Sequence, residues 1–499
     1  MSATVRIRLE PMSVEAEVPL GESLASVVTR FGVEFPCGGT SLCGGCGVRV
    51  LKGSLPVTGP DLSVFSTAEL DDGWRLACQA HADMPLVLEC GQWHMDILTD
   101  NSSISLGCKS GLGIAIDLGT TTIAAQLVDM ATGSVLAVET NLNPQSSFGS
   151  DVMSRIKAAL SGSDLTTHVR QALRNMIVNL AGGREQQIAE VVLVGNTVMH
   201  HLFSGLDVEP LSHAPFESPH LSSQCFMPDE LDWPLPSTCR IRFERCMGGF
   251  VGSDILAGIL AVGMPGSDDL LALVDLGTNG EIAIGNRHGI LCASTAAGPA
   301  FEAGAIRMGM RAATGAIARV SLQNDKMYAT VIGDVEPRGI CGSGLVDAVA
   351  VGLERGRILP SGRIADGTKL FPVWLPVVVL QADIRQLQLA KAAIASGFRL
   401  LMKHLGASIN DVQSIYFAGA FGNYVRAQSA SCIGLIEADI DRIHARGNTA
   451  LRGAKMLLLA EYEPILPNIE HVSLAAEPGF QDAFMDCIAF PKKQTTVSE

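Results

Sequence analysis

Three cysteines stand among glycines in FPCGGTSLCGGCGV: Cys37, Cys43 and Cys46, spaced C-x5-C-x2-C, with Cys78 following after 31 intervening residues in RLACQ. Four thiolates laid out in this way suit two irons bridged by two sulfides, three ligands coming from one loop and the fourth from a distant strand. The glycines at 38, 39, 44, 45 and 47 let such a loop curl tightly and aim backbone N–H groups at sulfur. A zinc site or reduced structural thiols are the alternatives. Structural zinc usually draws on paired C-x2-C units, and only Cys43 and Cys46 form one. Cys90 and Cys108 lie outside the pattern and read as core or incidental thiols.

A second chemistry begins in GIAIDLGTTTIAAQLVD, where an apolar strand delivers Asp117 and then a turn of Gly119, Thr120, Thr121 and Thr122. Backbone N–H groups and threonine hydroxyls in such a turn can bind phosphate oxygens, while the aspartate holds Mg²⁺ through water. The same grammar recurs 158 residues later in LALVDLGTNGEIAIG, with Asp275, Gly277, Thr278 and Asn279. Two further strand-then-glycine units answer each other: EVVLVGNTVMHHL, carrying Gly195 and Asn196, and SIYFAGAFGNYV, carrying Gly419 and Gly422. One such turn is a weak signal; two interleaved pairs imply a duplicated architecture of two facing α/β lobes. Asp117 and Asp275 are the candidate catalytic residues. The neighbouring His200 and His201 point about 100° apart on a helix and read as structural, and Met308 and Met310 read as packing.

The elements that must position these residues follow from pattern. TVRIRLE and VEAEV alternate as a hairpin, ESLASVVTRFG reads as a short helix, and CGVRVLKG and PLVLEC read as strands around a polar helical stretch at STAEL. This gives a small α/β unit over 1–92 and a linker over 93–111. Lobe I follows over 112–265, lobe II over 266–490 and a tail over 491–499. Six prolines between Gly205 and Arg240 predict an irregular excursion over the surface of lobe I. Leu387, Ala390, Ile394, Phe398 and Leu401 predict a helix, with Asp383 as its N-cap.

The chain has 499 residues, 47% of them hydrophobic, enough for several packed cores. Its net charge of −15 argues against a nucleic-acid partner, which needs a basic face. No apolar run is long enough to span a bilayer and no secretory signal opens the chain, so a cytoplasmic location without membrane attachment is expected. Thirteen cysteines in such a chain point to ligands and buried thiols rather than disulfides, and five fall before residue 91.

The cysteine spacing resembles that of adrenodoxin-like two-iron ferredoxins. The duplicated turns resemble the acetate kinase, sugar kinase, actin and heat-shock chaperone superfamily, in which two lobes clamp ATP. That resemblance makes 119–122 and 277–279 phosphate turns and Gly419 to Gly422 the adenosine turn. The expected fold is α/β multidomain: an N-terminal β-grasp ferredoxin unit, then a duplicated two-lobed ATPase of RNase H-like strand order. Together the two units resemble the reductive activators of corrinoid-dependent enzymes. Segments 143–156 (NPQSSFGSDVMSRI), 194–205, 296–317, 339–350 and 418–424 carry that likeness over nearly the whole chain. Larger members have an extra small domain after the ferredoxin, whereas only Gln92–Gly111 intervenes here.

The resemblance implies ATP-dependent return of an electron to an inactive Co(II) corrinoid protein or methyltransferase, regenerating Co(I). Its implied cofactors are a [2Fe–2S] cluster, ATP and Mg²⁺; its implied partners are the corrinoid protein and an upstream low-potential reductant, with homodimerisation left open. Plant-type clusters sit at roughly −400 mV, and each 100 mV uphill costs ~2.3 kcal/mol per electron. A ferredoxin alone would leave most of the cobalt oxidised, and ATP turnover can offset the gap through lobe closure. Two other readings stand beside this one: a small-molecule kinase with a regulatory cluster, and a redox-sensing nucleotide-binding module that grips partners as chaperones do.

Overall fold

The computed structural model describes residues 3–10, 14–31, 33, 41, 46–91, 109–149, 151–277, 279–324, 326–460 and 466–492. In the first unit β1 (Thr4–Glu10) and β2 (Val14–Pro19) form the expected hairpin, with Ile7 and Leu9 inward and Arg6 and Arg8 outward. Then come β3 (Glu22–Ser23), α1 (Leu24–Thr29), β4 (Gly47–Lys52), α2 (Gly59–Val64), α3 (Thr67–Asp71), β5 (Trp74–Leu76), β6 (His81–Ala82) and β7 (Leu86–Cys90). The sheet order is β2-β1-β7-β4-β5, with β1 and β7 parallel, and α1 buries Leu24, Val27 and Val28 against it. That is the β-grasp arrangement.

Lobe I is built from β8 (Leu112–Leu118), β9 (Thr122–Asp129), β10 (Ser134–Leu142), α4 (Val152–Leu160), α5 (Leu165–Ala181), β11 (Ile188–Gly195), α6 (Thr197–Ser204), β12 (Gln224–Phe226) and β13 (Arg240–Phe243). Its sheet order is β10-β9-β8-β11-β13-β12. After α7 (Ser253–Ala261), lobe II repeats the plan with β14 (Leu270–Leu276), β15 (Gly280–Asn286) and β16 (Gly289–Thr295). Three short strands, β17 (Ala316–Gln323), β18 (Lys326–Val331) and β19 (Gly339–Ile340), precede α8 (Gly342–Glu354) and the hairpin β20 (Leu370–Trp374) and β21 (Val377–Leu380). The chain then runs through α9 (Gln381–His404), β22 (Val412–Ala418), α10 (Gly419–Tyr424), α11 (Ala427–Cys432), β23 (Ile443–Ala445), α12 (Thr449–Leu459), β24 (Ile469–His471) and α13 (Phe480–Ile488). Here the order is β23-β22-β14-β15-β16-β24. In both lobes a central strand has an antiparallel meander on one side and parallel strands on the other, so the duplication read from sequence is a duplication of topology.

Strand alternation decides what faces the seam between the lobes. On β8, Ile114, Ile116 and Leu118 point into the outer core of lobe I, while Gly113, Ala115 and Asp117 share the opposite face. On β14, Leu271 and Leu273 face the seam with Asp275, and Ala272, Val274 and Leu276 face α9. The seam is filled by α7 and α12. Ile255 and Ile259 of α7 pack on the lobe II sheet, and Ala257 and Leu260 join α12 on the lobe I sheet. The small residues on β8 allow this approach: a Cβ on Gly113 would lie 2.8 Å from Leu458. The two helices cross where Gly453 meets the Ala257 backbone, and a Cβ there would lie 2.0 Å from the Ala257 carbonyl oxygen. Gly453→Ala is therefore expected to destabilise the protein by about 1–3 kcal/mol through overpacking, read as a lower denaturant midpoint at unchanged slope.

One sequence expectation is sharpened and one corrected. The proline-rich stretch 205–240 is irregular and most of its residues lie at the surface, but Leu211, Leu231, Trp233 and Leu235 anchor it in the lobe I core and β12 extends the sheet. The prolines break regular structure while the apolar residues between them still bury. Asp383 is not the N-cap of α9, because the helix starts earlier, at Gln381. Its carboxylate accepts instead from the backbone N–H groups of Leu380 at 2.8 Å and Arg307 at 2.9 Å.

Candidate functional site

Of the four proposed cluster ligands, Cys37 and Cys43 lie outside the described residues, as do Gly38, Gly39, Gly44 and Gly45. Cys46 immediately precedes β4, and Cys78 lies in the 3₁₀ turn that follows β5. Antiparallel pairing of Gly47 with Leu76, and a hydrogen bond from the Ala77 N–H to the Cys46 carbonyl at 3.1 Å, bring the two cysteines to one end of the sheet. Cys78 is half-buried with the Ser41 hydroxyl 3.4 Å from its sulfur, and Cys46 is buried. Cys90 belongs to the apolar core, where burial pushes its thiol pKa up, so it stays protonated. Cys108 lies outside the described residues.

The ferredoxin unit touches both lobes. Leu142, at the end of β10, is buried in its core. Arg338 of lobe II pairs with Glu69 and lies over the Phe65 ring at 5.3 Å. The other carboxylate oxygen of Glu69 accepts from the Ser66 N–H and caps α3.

Asp117 and Asp275 occupy equivalent places at the ends of the central strands, both on the seam face. Gly119 closes the first turn by donating to the Thr122 carbonyl at 3.0 Å, and a Cβ there would lie 2.7 Å from that oxygen. Thr120, Thr121 and Thr122 are all half-buried. In the second turn Gly277 donates to the Asn279 carbonyl at 3.1 Å, and Thr278 lies outside the described residues. Gly195 ends β11 beside Leu118, so close that a Cβ would meet the Leu118 oxygen at 2.5 Å. Asn196 caps α6 through the Met199 N–H at 3.0 Å and donates to the Thr120 hydroxyl at 2.8 Å. In lobe II, Gly419 adopts φ +79°, and a Cβ would lie 2.5 Å from an Asp275 oxygen. Only glycine fits there. Gly422 lies within α10, directly after the strand. The structure thus gathers the described residues of both turns and both glycine units around one cleft.

Three members of this cleft escaped the sequence reading. Asp254, in the first turn of α7, and Glu281, opposite Asp275 on β15, join Asp117 and Asp275 in one electrostatic cluster. Loss of water raises every one of the four, and their mutual repulsion raises all but Asp117 further: Asp117 to about 6, Asp275 to about 7, Asp254 to about 8, and Glu281 well above its ordinary value. Such a set cannot be fully ionised at neutral pH without a cation. The donor chemistry therefore fits Mg²⁺. Among the described residues no three carboxylate, histidine or cysteine side chains converge on a point, so an ion here would be held largely through water and phosphate oxygens. The third is Asn448, which caps α12 and donates to Asp117 at 2.8 Å. A buried glutamate in an apolar strand was the one signal available for Glu281; Asn448 offered none.

His200 and His201 are fully buried; His201 bonds the Thr197 carbonyl and the Ser218 hydroxyl at 2.8 and 2.7 Å. Met308 and Met310 are core residues.

Comparison with known proteins agrees with this geometry. Residues 7–83 match the 2Fe-2S iron-sulfur cluster binding domain, 112–267 the RACo middle region, and 269–499 the C-terminal domain of RACo, the ASKHA domain. The corrinoid activation enzyme RamQ of Eubacterium limosum is 35% identical over 483 residues, covering 87% of this chain and 79% of that protein. A reductase of the Co(II) methylated amine-specific corrinoid protein from Methanosarcina barkeri is 27% identical over 386 residues, 70% of each chain. The solved structure of a reductive activator for a corrinoid, iron-sulfur protein superposes with a TM-score of 0.67 at 26% identity, covering 98% of both chains. A ferredoxin unit joined to a duplicated nucleotide-cleft fold, with relatives of this kind along its length, places the chain in the family of corrinoid activation enzymes.

Proposed function

We infer that the protein reduces an inactive Co(II) corrinoid protein or methyltransferase to Co(I), at the expense of ATP. The observation that carries the reading is the pairing of a cysteine-bearing β-grasp unit with a carboxylate-lined cleft on one chain. The proposed division is a ferredoxin unit over 1–92, a linker over 93–111, lobe I over 112–265, lobe II over 266–490 and a tail over 491–499. Cys37, Cys43, Cys46 and Cys78 would hold the [2Fe–2S] cluster, which supplies one-electron transfer when bound. The turn at 119–122 and its partner at 277–279 would bind the phosphates, and Gly419 to Gly422 would border the adenosine. Gly195 and Asn196 brace the first turn, and Asp117 and Asp275 would hold Mg²⁺, which would supply charge neutralisation at the phosphates.

The chain's own part is then mechanical. Asp117 reads the nucleotide from lobe I, Asn448 ties it to α12, and the ferredoxin unit rests on both lobes, so lobe closure changes how it is presented. Among the described residues no helix is long and apolar enough to cross a membrane. The proposal places the protein in the cytoplasm, with a corrinoid protein as partner and an upstream low-potential reductant as electron source.

The test is anaerobic. Reduced protein, ATP and a Co(II) corrinoid protein are mixed and the Co(I) absorption band is followed. ATP-dependent growth of the band is expected; none with any corrinoid partner of the relatives' classes overturns the reading.

A further inference from the structure

One fully buried charge has no part in the mechanism above. Arg155, on α4, has 0% exposure. Its Nε donates to the Gly149 carbonyl at 2.9 Å and its Nη1 to the Met199 sulfur at 3.5 Å, while its Nη2 has no hydrogen-bond partner among the described residues. Burial lowers its pKa to about 10, so it remains a cation at neutral pH. The nearby carboxylate, Asp151, favours the cation through its charge, while its oxygens accept from the Ser154 N–H at 2.9 Å and the Ser154 hydroxyl at 2.5 Å. A buried cation without a bonded anion is costly, and a chain that keeps one gains something else from it.

Met199 connects it to the first turn, 119–122. The Met199 sulfur also accepts from Asn143 at 3.4 Å, and the same Asn143 amide donates to the Gly119 carbonyl at 2.8 Å. The Asn143 N–H donates to the Thr121 carbonyl at 2.9 Å. The Met199 N–H donates to Asn196, whose amide holds the Thr120 hydroxyl. Asn143 and Asn196 brace the turn from two sides, both meet at Met199, and Arg155 bears on its sulfur.

We propose that Arg155 is a positioning residue for the nucleotide: through Met199 and Asn143 it sets the 119–122 turn, and its charge, only partly offset by Asp151, favours polyphosphate bound at that turn. This rests on the reading that the turn binds phosphate. Two consequences separate it from a packing role. Removing the charge weakens ligands in order of their phosphate charge, and it does so without weakening the nucleotide-free fold.

The experiment uses the full-length, cluster-loaded protein with R155M, R155K and M199L, titrated calorimetrically with MgATP, MgADP and adenosine, alongside melting curves and ATPase kinetics. R155M is expected to lose about tenfold in ATP affinity, a magnitude common for coupling between sites. The loss should be smaller for ADP and absent for adenosine, with the ATPase effect carried in KM more than kcat. Without nucleotide it should melt at or above the wild-type temperature. R155K should keep most of the phosphate preference, and M199L, which preserves volume, should show a milder ATP-specific loss. If R155M does not fold, the charge is structural and the proposal is overturned. It is likewise overturned if R155M binds all three ligands like wild type or loses all three equally. If wild type itself binds no ATP, it is the nucleotide reading that fails.

Discussion

A Cys78→Ala protein is expected to emerge from anaerobic reconstitution without the visible absorption and reduced-state paramagnetic signal of a two-iron cluster. Its ATP-dependent production of Co(I) should fall below detection. Cys78 comes from a separate turn, and backbone pairing alone sets it beside Cys46. Losing one of four thiolates leaves an iron open, a larger insult than the roughly 10–100-fold typical of losing an outer-shell partner. MgATP binding should stay close to wild type, because the cleft lies in the two lobes and owes the cluster no ligand. Cys90→Ala is the control. Its thiol is buried in the ferredoxin core and held protonated, so the variant should keep its cluster at some cost in stability. A Cys78→Ala protein that retained a full cluster spectrum would remove Cys78 from the ligand set.

Asp275→Asn should give the converse phenotype: an intact cluster spectrum with ATP turnover reduced on the order of 10²–10³-fold, as when one preorganised electrostatic contact is removed. The carboxylate sits against Gly419 and opposite Glu281, so asparagine fits the space while removing the charge. The pH dependence of stability adds a second readout. In the cation-free protein burial raises the Asp275 pKa from 3.8 to about 7. The folded state therefore holds a proton that the unfolded chain has released, and stability falls as pH rises between those values. The substituted amide has nothing to titrate, so in chelator the variant should gain on wild type from about pH 4 to about pH 7 and then hold a constant lead. Denaturation midpoints across that range check it. A variant with normal turnover would mean that the aspartate does no work on the nucleotide.

What sequence could and could not show follows from where the information lies. The cysteine loop and the two D-L-G-T turns were legible because each compresses its chemistry into a few adjacent residues. The lobe duplication was legible because strand and turn recur in the same order. Asp254 and Glu281 were not, since a carboxylate on α7 and one on β15 become a cluster only when two sheets close on each other. Asn448 reaches Asp117 across 331 residues of chain, a pairing no local pattern can announce. Arg155 lies within NPQSSFGSDVMSRI, yet its meaning depends on its burial. In 205–240 the prolines announce irregular structure but not the four apolar anchors that bury between them.

The α12 helix also bears on how the molecule is made. It lies on the sheet of lobe I, yet it is encoded after nearly all of lobe II. A chain emerging from the ribosome has all the strands of the ferredoxin unit once residue 90 is out, and Leu142 joins that core later. The inner face of the lobe I sheet, with Gly113, Ala115, Val192 and Val194, is covered only in part by α7 until residues 449–459 follow. Lobe I therefore waits for α12, and a chain truncated before Asn448 lacks a finished first lobe as well as a finished second one. A proposed nucleotide cleft shared by both lobes is thus expected to form only after α12 is made, whereas the ferredoxin fold depends on nothing so late in the chain.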